Sequence, residues 1–457
     1  MKKINLNNLM YKILIVFLII QPIFDIKFFY NSISTLIRVI VIFALFSYYF
    51  LTSKSKHKFW LLIYPALLGI YFIFHHINAL NFYSLVPGNF DYSIIEEALY
   101  FVKMLSPFML IYCIYKASLT KDTIISIMKY LVLIISLIII ISNLFVFSYG
   151  SYSDAIIKAN FLEWFNPNSD YSYRDLASKG LFEFGNQIAA ILIMFLPFMI
   201  YSALDKSKFM NWLIVILNVF SLVLLCTRVS VLGVFIVFAY TIFACCFINF
   251  IRKQHFGFKR YIPIIVILLV YGLLLPINPM FNRLARRQTI IENFNTEHEE
   301  INSTTDNTIS DGNMVSDTVS DIKLTASNNN IQNEKTITDT SHYMIQYIED
   351  NYEDKRLHKQ FLFENYPYKY DPEFWYDFLQ KDISLTTDSR YIELSMVKRV
   401  VEINNNPLDK WLGITNTRLQ NIFNIEQDFV VQYYALRHYW CFSSFCTILC
   451  DFISFCI

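Results

Sequence analysis

Charged residues are scarce in this chain: they make up 16% of its 457 residues, whereas apolar residues make up 55% and the mean hydropathy is +0.40. Soluble domains carry about a quarter charged residues, so this composition excludes a soluble globule and indicates a polytopic membrane protein. The formal net charge is only +1 and no basic domain is present, so nucleic-acid binding is not expected.

A disulfide framework and a cleaved secretory leader are also missing. The first apolar run, Tyr11 to Ile20, is followed by QPIFD rather than by a small-residue cleavage site, which predicts a retained first helix. Neither His75–His76 nor His298–Glu300 has the spacing of metal ligands, so neither a metal nor a cofactor is expected. The cysteines do not suggest pairing. Four of them lie in apolar runs: Cys113, Cys226, Cys245 and Cys246.

Apolar runs of about 17–25 residues predict the membrane spans. The predicted fold class is an all-α polytopic membrane protein with about ten transmembrane helices and a large extracellular loop before the last span. The runs are 11–24, 36–51, 59–74, 98–115, 127–147, 187–204, 211–227, 229–250 and 261–276, with a last one that starts near Phe429.

Lysine and arginine set the predicted orientation, because short cytoplasmic connections carry an excess of both. Every second connection is short and basic, while the others are acidic or long, so the N-terminus is predicted to be cytoplasmic and the long loop extracellular, in the cell membrane. The basic connections carry Lys2 and Lys3; Lys54, Lys56 and Lys58; Lys116 and Lys121; Lys206 and Lys208; and Arg252, Lys253, Lys259 and Arg260.

Three parts of the chain follow from this topology. Residues 1–276 are predicted to form a membrane domain of nine helices, residues 277–427 the extracellular loop, and residues 428–457 the final membrane segment. Within the loop, residues 292–340 are rich in Ser, Thr, Asn and Asp and are predicted to be disordered. Residues 341–427 have helical apolar spacing and many aromatics, which predicts a small folded helical part.

Cations at one depth are the first functional signal. Arg228, in LLCTRVSVLGV, ends a span that runs outward, and Arg38 and Lys103 lie near the start of spans that run inward. All three are therefore predicted in the outer half of the membrane, against the positive-inside trend. They suggest an anion site at the outer interface, such as the phosphates of a lipid-linked molecule. The alternative is that each one reaches the head groups or pairs with Asp25 or Glu97.

Several motifs resemble the O-antigen ligase-like and O-antigen polymerase-like membrane proteins. QPIFDI at 21–26 resembles the QPxxD end of that family's first span, and GLFEFGNQIAAILIMFLPF at 180–198 resembles its G…N…A…P span. CTRVSVLG at 226–233 is similar to its SRxxxLG joint, with Thr227 in place of serine. DSRYIELSMVKRV at 388–400, with the later LGIT at 412–415, resembles its outer-loop arginine helix and G-x-G stretch.

The resemblance implies a bacterial polysaccharide polymerase or ligase that takes a glycan from undecaprenyl diphosphate and joins it to an acceptor glycan, without a metal. Other polysaccharide-assembly membrane proteins are implied as partners, beside the lipid bilayer. Arg228 matches the family's joint arginine and Arg390 its outer-loop arginine. Arg38 and Lys103 come from the depth argument. A polymerase is preferred to a ligase, since the sequence resembles Gram-positive ones and implies no lipopolysaccharide acceptor.

The catalytic base departs from the family pattern. O-antigen ligases place a histidine just before the last spans, where this chain reads NIEQDFVVQYY. Glu426 is predicted to replace it, because a buried carboxylate can deprotonate an acceptor hydroxyl. The alternative is that Glu426 and Asp428 only favour the start of the final helix. His342 and His358 in the loop are the other candidates for the base.

The end of the chain is unlike the rest of it. After Leu436 come RHYW and four further cysteines, where the family has a glycine-containing span. One allowed set of codons, read with one nucleotide removed near position 437, restores GIIGVFLHFAPY. We therefore expect that residues 437–457 result from a frameshift; the alternative is a genuine cysteine-rich final helix, and resequencing the gene decides between them.

Two functions of other classes remain open. A transporter or flippase for a lipid-linked glycan places its charges at the midplane of broken helices and shows paired repeats. Here the predicted charges lie at the outer ends of helices, the external loop is large, and no internal repeat is visible. A sensor or scaffold whose loop binds wall polymer is the third possibility, and such a protein is expected to tolerate the loss of Arg228.

Overall fold

The structure is a computed structural model. It describes residues 6–29, 32–54, 59, 61–86, 91–153, 155–166, 171–251, 261–281, 330–422 and 433–436. Within these ranges, the side chains of helix residues 32, 245–246, 248–251, 330–340 and 420–422 are not described. The predicted final segment, 437–457, and the proposed frameshift lie outside the described residues.

The described residues are mostly helical and form no β-strand; three isolated β-bridges are the only extended pairings among them. The long helices are α1 (Leu6–Ile20), α2 (Ser32–Thr52), α3 (Ile63–Ala79), α4 (Ile94–Lys116), α5 (Lys121–Leu144), α7 (Gly185–Asp205), α8 (Phe209–Leu225), α9 (Arg228–Ile251) and α10 (Ile262–Leu274), with the short α6 (Tyr173–Leu176) before α7. The loop helices are α11 (Asn330–Asn351), α12 (Pro372–Leu379), α13 (Ile383–Thr386), α14 (Ser389–Asn404), α15 (Asp409–Leu412) and α16 (Asn416–Ile422).

The predicted all-α membrane class is confirmed, but the count of about ten spans is not. In the described part of the chain, five helical segments are long and apolar enough to cross a membrane: Leu6–Asp25, Ile33–Thr52, Ile94–Lys116, Lys121–Leu144 and Gly185–Asp205. Three shorter apolar helices follow: Phe209–Leu225, Arg228–Ala244 and Ile262–Leu274. The predicted third span is helix α3 of 17 residues. The predicted tenth span lies outside the described residues.

Helix α11 begins inside the stretch that the sequence predicts to be disordered. It starts at Asn330, so residues 330–340 are helical, and the rest of that stretch lies outside the described residues. Composition misses this because residues 330–340 are polar. They extend a helix whose later turns pack their apolar side, including the fully buried Ile348, into a core. A turn added to an existing helix avoids the unfavourable nucleation step.

The chain divides into two compact units: Met1–Ser53 with Met109–Glu292, and Lys54–Phe108 with Asn293–Ile457. In the first unit α5, α7, α8 and α9 pack closely together. Turns of a few residues join α7 to α8 and α8 to α9, so the three helices alternate in direction and α7 and α9 begin at the same end. Their contact is apolar, with Leu192, Leu196 and Phe238 completely buried.

A segment of 40 residues between α5 and α7, from 145 to 184, is ordered in its described part by backbone pairing. Bridges join Tyr149 to Ile156 and Gly150 to Ser178. The hydroxyls of Ser148 and Ser178 lie 2.6 Å apart, and the Ser148 hydroxyl also accepts from the Gly180 amide at 2.9 Å. Because these polar groups are satisfied internally, the segment forms a defined cap over its end of the helices.

The second unit is built around the folded part of the long loop. Helices α11, α12 and α14 bury Trp375, Phe378, Ile348 and Met396 in one core. The same cluster includes Leu68 and Tyr71 of α3 and Phe101 of α4. Arg399 of α14 binds the Asp371 carboxylate with two hydrogen bonds, of 2.8 and 3.0 Å. Asp371 in turn caps α12 through the Phe374 amide at 3.3 Å. The loop helices thus form a packed body with α3 and α4.

Glu97 of α4 holds the end of this loop. Its carboxylate is fully buried and accepts four hydrogen bonds: from the Thr417 amide at 3.0 Å, the Thr417 hydroxyl at 3.1 Å, the Asn416 amide at 3.2 Å, and His75 Nε2 at 2.9 Å. The Asn416 and Thr417 amides open helix α16, whose positive end favours an anion. A buried carboxylate is stable only with such a full set of partners.

His75 completes the arrangement. Its Nδ1 lies 2.7 Å from the Leu412 carbonyl oxygen, which can only accept, so Nδ1 carries a proton. Its Nε2 faces the Glu97 carboxylate, so one imidazole ring connects α4 with the carbonyl that ends α15. The turn that follows Leu412 requires glycine: Gly413 has φ +76°, and a Cβ there would lie 2.0 Å from the Ala435 carbonyl oxygen.

We predict that replacing Glu97 by leucine destabilises the protein strongly, by about 3–5 kcal/mol, because it leaves several buried donors without an acceptor. Glu97→Gln keeps an acceptor oxygen and is expected to lose less than half of that. The free energy of unfolding of the purified full-length protein in detergent, measured by heating or by adding denaturant, gives the difference. The adjacent, exposed Glu96 provides the control: Glu96→Leu is expected to change stability little. Equal effects of Glu96→Leu and Glu97→Leu contradict this account.

Candidate functional site

The joint between α8 and α9 is rigidly built. Cys226 ends α8 in the left-handed region, with φ +53°, and its amide donates to the Val223 carbonyl at 3.2 Å. Thr227 and Ser230 then cap α9 reciprocally: each backbone amide donates to the other's hydroxyl at 3.1 Å. Such a reciprocal cap fixes the first turn of a helix. Arg228 therefore occupies the first position of α9 on a defined backbone.

Four donors from outside the joint hold it through its backbone carbonyls. These bonds satisfy carbonyls at the end of α8 and the start of α9, so the joint has little freedom to move. The donors are the Asn278 amide side chain to Val223 at 3.1 Å, the Ser178 amide to Leu224 at 2.9 Å, the Tyr271 hydroxyl to Val231 at 3.1 Å, and the Tyr152 hydroxyl to Cys226.

Arg228 itself is exposed, and its guanidinium makes no hydrogen bond or ion pair with any of the residues that the structure describes. It lies at the N-terminus of a 24-residue helix. The N-terminus of α7, at Gly185, lies at the same end, and the Cβ position of Gly185 is 3.4 Å from the Lys179 Cβ. Two helix N-termini and two cations therefore lie at this end of the first unit, and a helix N-terminus with a nearby cation favours an anion.

The cap segment 145–184 connects a further cation to the joint. The Tyr152 ring packs edge-on against Tyr173 at 5.4 Å between centroids, and the Tyr173 hydroxyl accepts from Arg174 Nε at 3.2 Å. Asp175 on the same short helix binds Lys158 at 3.0 Å, and its hydrogen bonds with Ser172 and Lys158 lower the pKa of the carboxyl. Asp175 thus remains ionised and pairs with Lys158.

Arg38 is already paired. Its guanidinium donates to Asp25 at 2.7 Å and to the Gln21 carbonyl at 3.3 Å, and it lies over the Phe24 ring. This is the Asp25 pairing that the sequence left open as an alternative. Asp25 also connects to the cap, because its carbonyl accepts from the Glu183 amide at 3.3 Å. The charge of Arg38 is therefore compensated, although the pair remains about a quarter exposed.

Lys103 and Arg390 belong to the second unit. Lys103 is exposed on α4, and it has no hydrogen bond or ion pair among the described residues; Glu97, its suggested partner, binds His75 instead. Arg390 is exposed at the start of α14, where Asp388 caps the helix by accepting from the Arg390 amide at 3.1 Å. Arg399, nine residues further along the same helix, points to the opposite side and is bound by Asp371 and Glu373.

The proposed base, Glu426, lies outside the described residues, as does Asp428. Of the alternatives, His342 is exposed on α11, and His358 is exposed before the π-helical turn Gln360–Asn365, with its ring against Phe361. In the described part of the chain, no group of three or more His, Cys, Asp or Glu residues has the geometry to hold a metal ion.

The most densely bonded polar cluster was missed by sequence reasoning. It contains His75 and Glu97, and Arg418 next to Thr417. Arg418 is 94% buried, and its guanidinium lies 4.1 Å from the Phe82 ring centre and donates to the Ala79 carbonyl at 2.7 Å. Burial lowers the pKa of Arg418 to about 10, which still leaves it cationic at neutral pH. A glutamate and two histidines within apolar helices were the available signal, but the sequence analysis considered the histidines only for metal binding and Glu97 only as a partner for a membrane cation.

A second buried polar group ties α3 to α15. The Asn78 side chain donates to Asp409 at 2.8 Å and accepts from Asn406 at 2.8 Å. Asp409 and Asn78 are both almost completely buried, so the hydrogen bond between them is stronger than the same bond in water. Together with the His75–Glu97 pair, it fixes residues 406–418 against α3 and α4.

Comparisons with known proteins give one match. A family model described as O-antigen ligase like membrane protein matches residues 7–453, which is nearly the whole chain. No curated protein and no solved structure matches. The family match covers all the helices described above and both compact units. The chain therefore belongs to the family of O-antigen ligase-like membrane proteins.

Proposed function

We propose that this protein polymerises glycan repeat units, transferring a glycan from undecaprenyl diphosphate to an acceptor sugar at the outer face of the cytoplasmic membrane. The observation that carries the proposal is the family match over residues 7–453. The family points to transfer or polymerisation of glycans in a membrane, with a lipid-linked glycan and an acceptor sugar as substrates. The exposed Arg228, at the hydrogen-bonded joint between α8 and α9, supports the proposal because it can bind a phosphate.

In the proposed reaction, an acceptor hydroxyl attacks the anomeric carbon of the lipid-linked glycan. A new glycosidic C–O bond forms as the bond from the anomeric carbon to the diphosphate oxygen breaks, and undecaprenyl diphosphate leaves with the electron pair. The hydroxyl proton passes to a base, for which Glu426 is proposed, with His342 and His358 as alternatives. No redox partner is needed.

Negative charge grows on the diphosphate as it departs, so the reaction needs cations that are in place beforehand. Arg228 meets this need: the capped first turn of α9 holds its backbone, its side chain is exposed, and the helix N-terminus adds positive potential. Arginine binds two phosphate oxygens at once. We assign Arg390 to the same task, and assign to Lys103 and Arg38 a contribution to the potential that attracts the donor.

A transporter or flippase for the same lipid-linked glycan is the alternative function. Such proteins bind their cargo near the bilayer midplane, between broken helices. In the described residues, by contrast, Arg228 stands at a helix end, and the folded part of the long loop is packed and aromatic. These features favour chemistry at one surface over passage through the bilayer.

The first experiment sizes the lipid-linked glycans of cells in which the gene is deleted and then restored. We expect single repeat units to accumulate on undecaprenyl diphosphate and long polymer to disappear, because a polymerase consumes these units. Accumulation of finished chains on the lipid instead identifies a ligase. Unchanged glycans contradict all three functions. A transporter is distinguished from a polymerase by the face on which the single units accumulate, since loss of a transporter traps them on the inner face and loss of a polymerase leaves them on the outer face.

We predict that Arg228→Gln lowers the transfer rate by about 10²–10³-fold at an unchanged amount of protein in the membrane, because it removes a charge that stabilises the leaving group. Arg228→Lys is expected to retain part of the rate, since it keeps the charge but not the paired donors. Polymer formation from the lipid-linked unit in membranes gives the measurement. Arg356→Gln, at an exposed arginine of the loop, is the control. Full activity of Arg228→Gln refutes this role.

Arg38 and Asp25 allow a second test, because their variants are expected to change the KM for the donor in opposite directions. If Arg38 adds to the potential at the donor site, Arg38→Gln raises the KM for the donor by less than about tenfold, and Asp25→Asn lowers it, because the uncompensated cation attracts the donor more strongly. The double variant is expected to fall between the two. If instead both single variants lose activity and the double variant regains it, the pair has only a structural role.

A further inference from the structure

A partly exposed cluster of three tyrosines lies on the folded part of the loop, outside the residues assigned to the reaction. Tyr343 and Tyr347 are one turn apart on α11, and Tyr376 on α12 contacts both. The Tyr347 and Tyr376 ring centres are 5.0 Å apart in an edge-on arrangement, and those of Tyr343 and Tyr376 are 6.2 Å apart. The Tyr343 side chain is 60% exposed. These rings form one continuous aromatic surface across two helices.

Tyr347 and Tyr376 pack partly against the core of the second unit, and Tyr343 extends the cluster outward from it. The core residues next to them, Ile348, Trp375 and Phe378, are buried almost completely, and Trp375 Nε1 donates to the Tyr366 carbonyl at 2.8 Å. A ring that is 60% exposed contributes little to burial, so packing alone does not explain Tyr343. Helix α12, which carries Tyr376, is fixed at its start by the ion pair of Arg399 with Asp371.

The neighbouring side chains indicate the chemistry of the ligand. On the two helices, the exposed residues three or four positions from the tyrosines, or next to them, are His342, Gln346, Asp350, Glu373, Asp377 and Gln380. They offer hydrogen-bond acceptors, two amides and an imidazole but no lysine or arginine, and Arg399 is engaged with Glu373 and Asp371. This charge disfavours phosphate and the anionic surface of a bilayer. It suits a neutral sugar, whose hydroxyls donate to carboxylates and whose C–H faces pack on aromatic rings.

Tyr376 supports the same reading through its hydroxyl. Burial, followed by the neighbouring Tyr343 and Tyr347, raises the pKa of Tyr376, so its hydroxyl remains protonated and neutral at physiological pH. A neutral hydroxyl both donates and accepts hydrogen bonds. The cluster therefore offers flat apolar faces, hydroxyls and acidic acceptors on one rigid surface.

We propose that Tyr343, Tyr347 and Tyr376 form a binding surface for the glycan chain, separate from the residues that handle the diphosphate. The identity of the glycan as this protein's own polymer rests on the proposed function. By holding sugar units already joined, the surface keeps a growing chain on the protein between transfers, and so lengthens the product without taking part in the bond-making step.

Binding is tested with the full-length protein in detergent, using the polysaccharide made by the same cells, released from its lipid by mild acid. We expect Tyr343→Ala and Tyr376→Ala each to weaken binding by about fivefold, since an aromatic contact contributes about 1 kcal/mol. Tyr343→Phe keeps the ring and is expected to retain most of the affinity. Tyr370→Ala removes an equally accessible tyrosine outside the cluster and is expected to change nothing.

In cells, the two alanine variants are expected to make shorter polymer while the first transfer proceeds at the wild-type rate. Unchanged affinity in a variant that carries both Tyr343→Ala and Tyr376→Ala overturns the proposal, as does an equal loss in Tyr370→Ala. A surface that contacts the bilayer instead keeps its glycan affinity in every variant, which also overturns it. Thermal unfolding checks that each variant is folded, and the exposed Tyr343 provides a variant that leaves the core intact.

The released polymer has no diphosphate, so binding is measured without transfer. If the wild type binds the polymer through its tyrosines but transfers nothing, the proposed function fails and the tyrosine surface stands. If the wild type transfers but binds the polymer equally well without the tyrosines, only the tyrosine surface fails.

Discussion

The buried carboxylate of Glu97 is the interaction on which the second unit depends. An ionised group in an apolar helix is tolerated only when hydrogen bonds replace the water it has lost, and here four donors do so. Two of them are backbone amides more than 300 residues away in sequence, so the carboxylate joins α4 to the end of the long loop. His75 adds a second connection through the Leu412 carbonyl. The position of residues 412–418 is thus a consequence of saturating one charge.

The arginines differ in whether the protein's own groups neutralise their charge. Three arginines direct their guanidinium groups inward. Arg38 binds one carboxylate and Arg399 binds two, while Arg418 lies against an aromatic ring and donates to a carbonyl. At Arg228 the protein's own groups bind the backbone of the joint, and in the described part of the chain none binds the side chain. A site that binds an anion needs this separation: a rigid backbone, so that the cation is in place beforehand, and a charge that no internal partner has neutralised.

Hydropathy and motif spacing predicted what depends on local sequence. The apolar runs predicted the helices because a chain in lipid must satisfy its backbone hydrogen bonds within each segment. CTRVSVLG predicted the α8–α9 joint, and both capping residues, Thr227 and Ser230, lie within that motif. The Asp25–Arg38 pair was open as an alternative because the two residues flank one turn.

Pairings between distant segments were not predictable in this way. Glu97 and Thr417 are 320 residues apart, and nothing in either neighbourhood specifies the other. The glutamate in YSIIEEALYF is followed by an apolar helix, which suggests a partner but not which one. The same limit applies to Asp371 and Arg399, since SRYIELSMVKRV contains two arginines. The face that packs on α12 decides which is internal, and a single helix sequence does not specify its neighbour.

Transfer of a lipid-linked glycan joins two kinds of recognition that favour different side chains. The diphosphate of the proposed donor needs fixed positive charge, which we assign to Arg228 at the end of α9. Sugars are neutral and polar, and aromatic faces and acceptor groups, which a cation-rich surface lacks, suit them better. The acids beside Tyr376 disfavour the phosphate that we propose Arg228 binds. A chain that keeps these two chemistries on different helices can hold the donor by its phosphates and the product by its sugars, and can release the spent lipid without releasing the polymer.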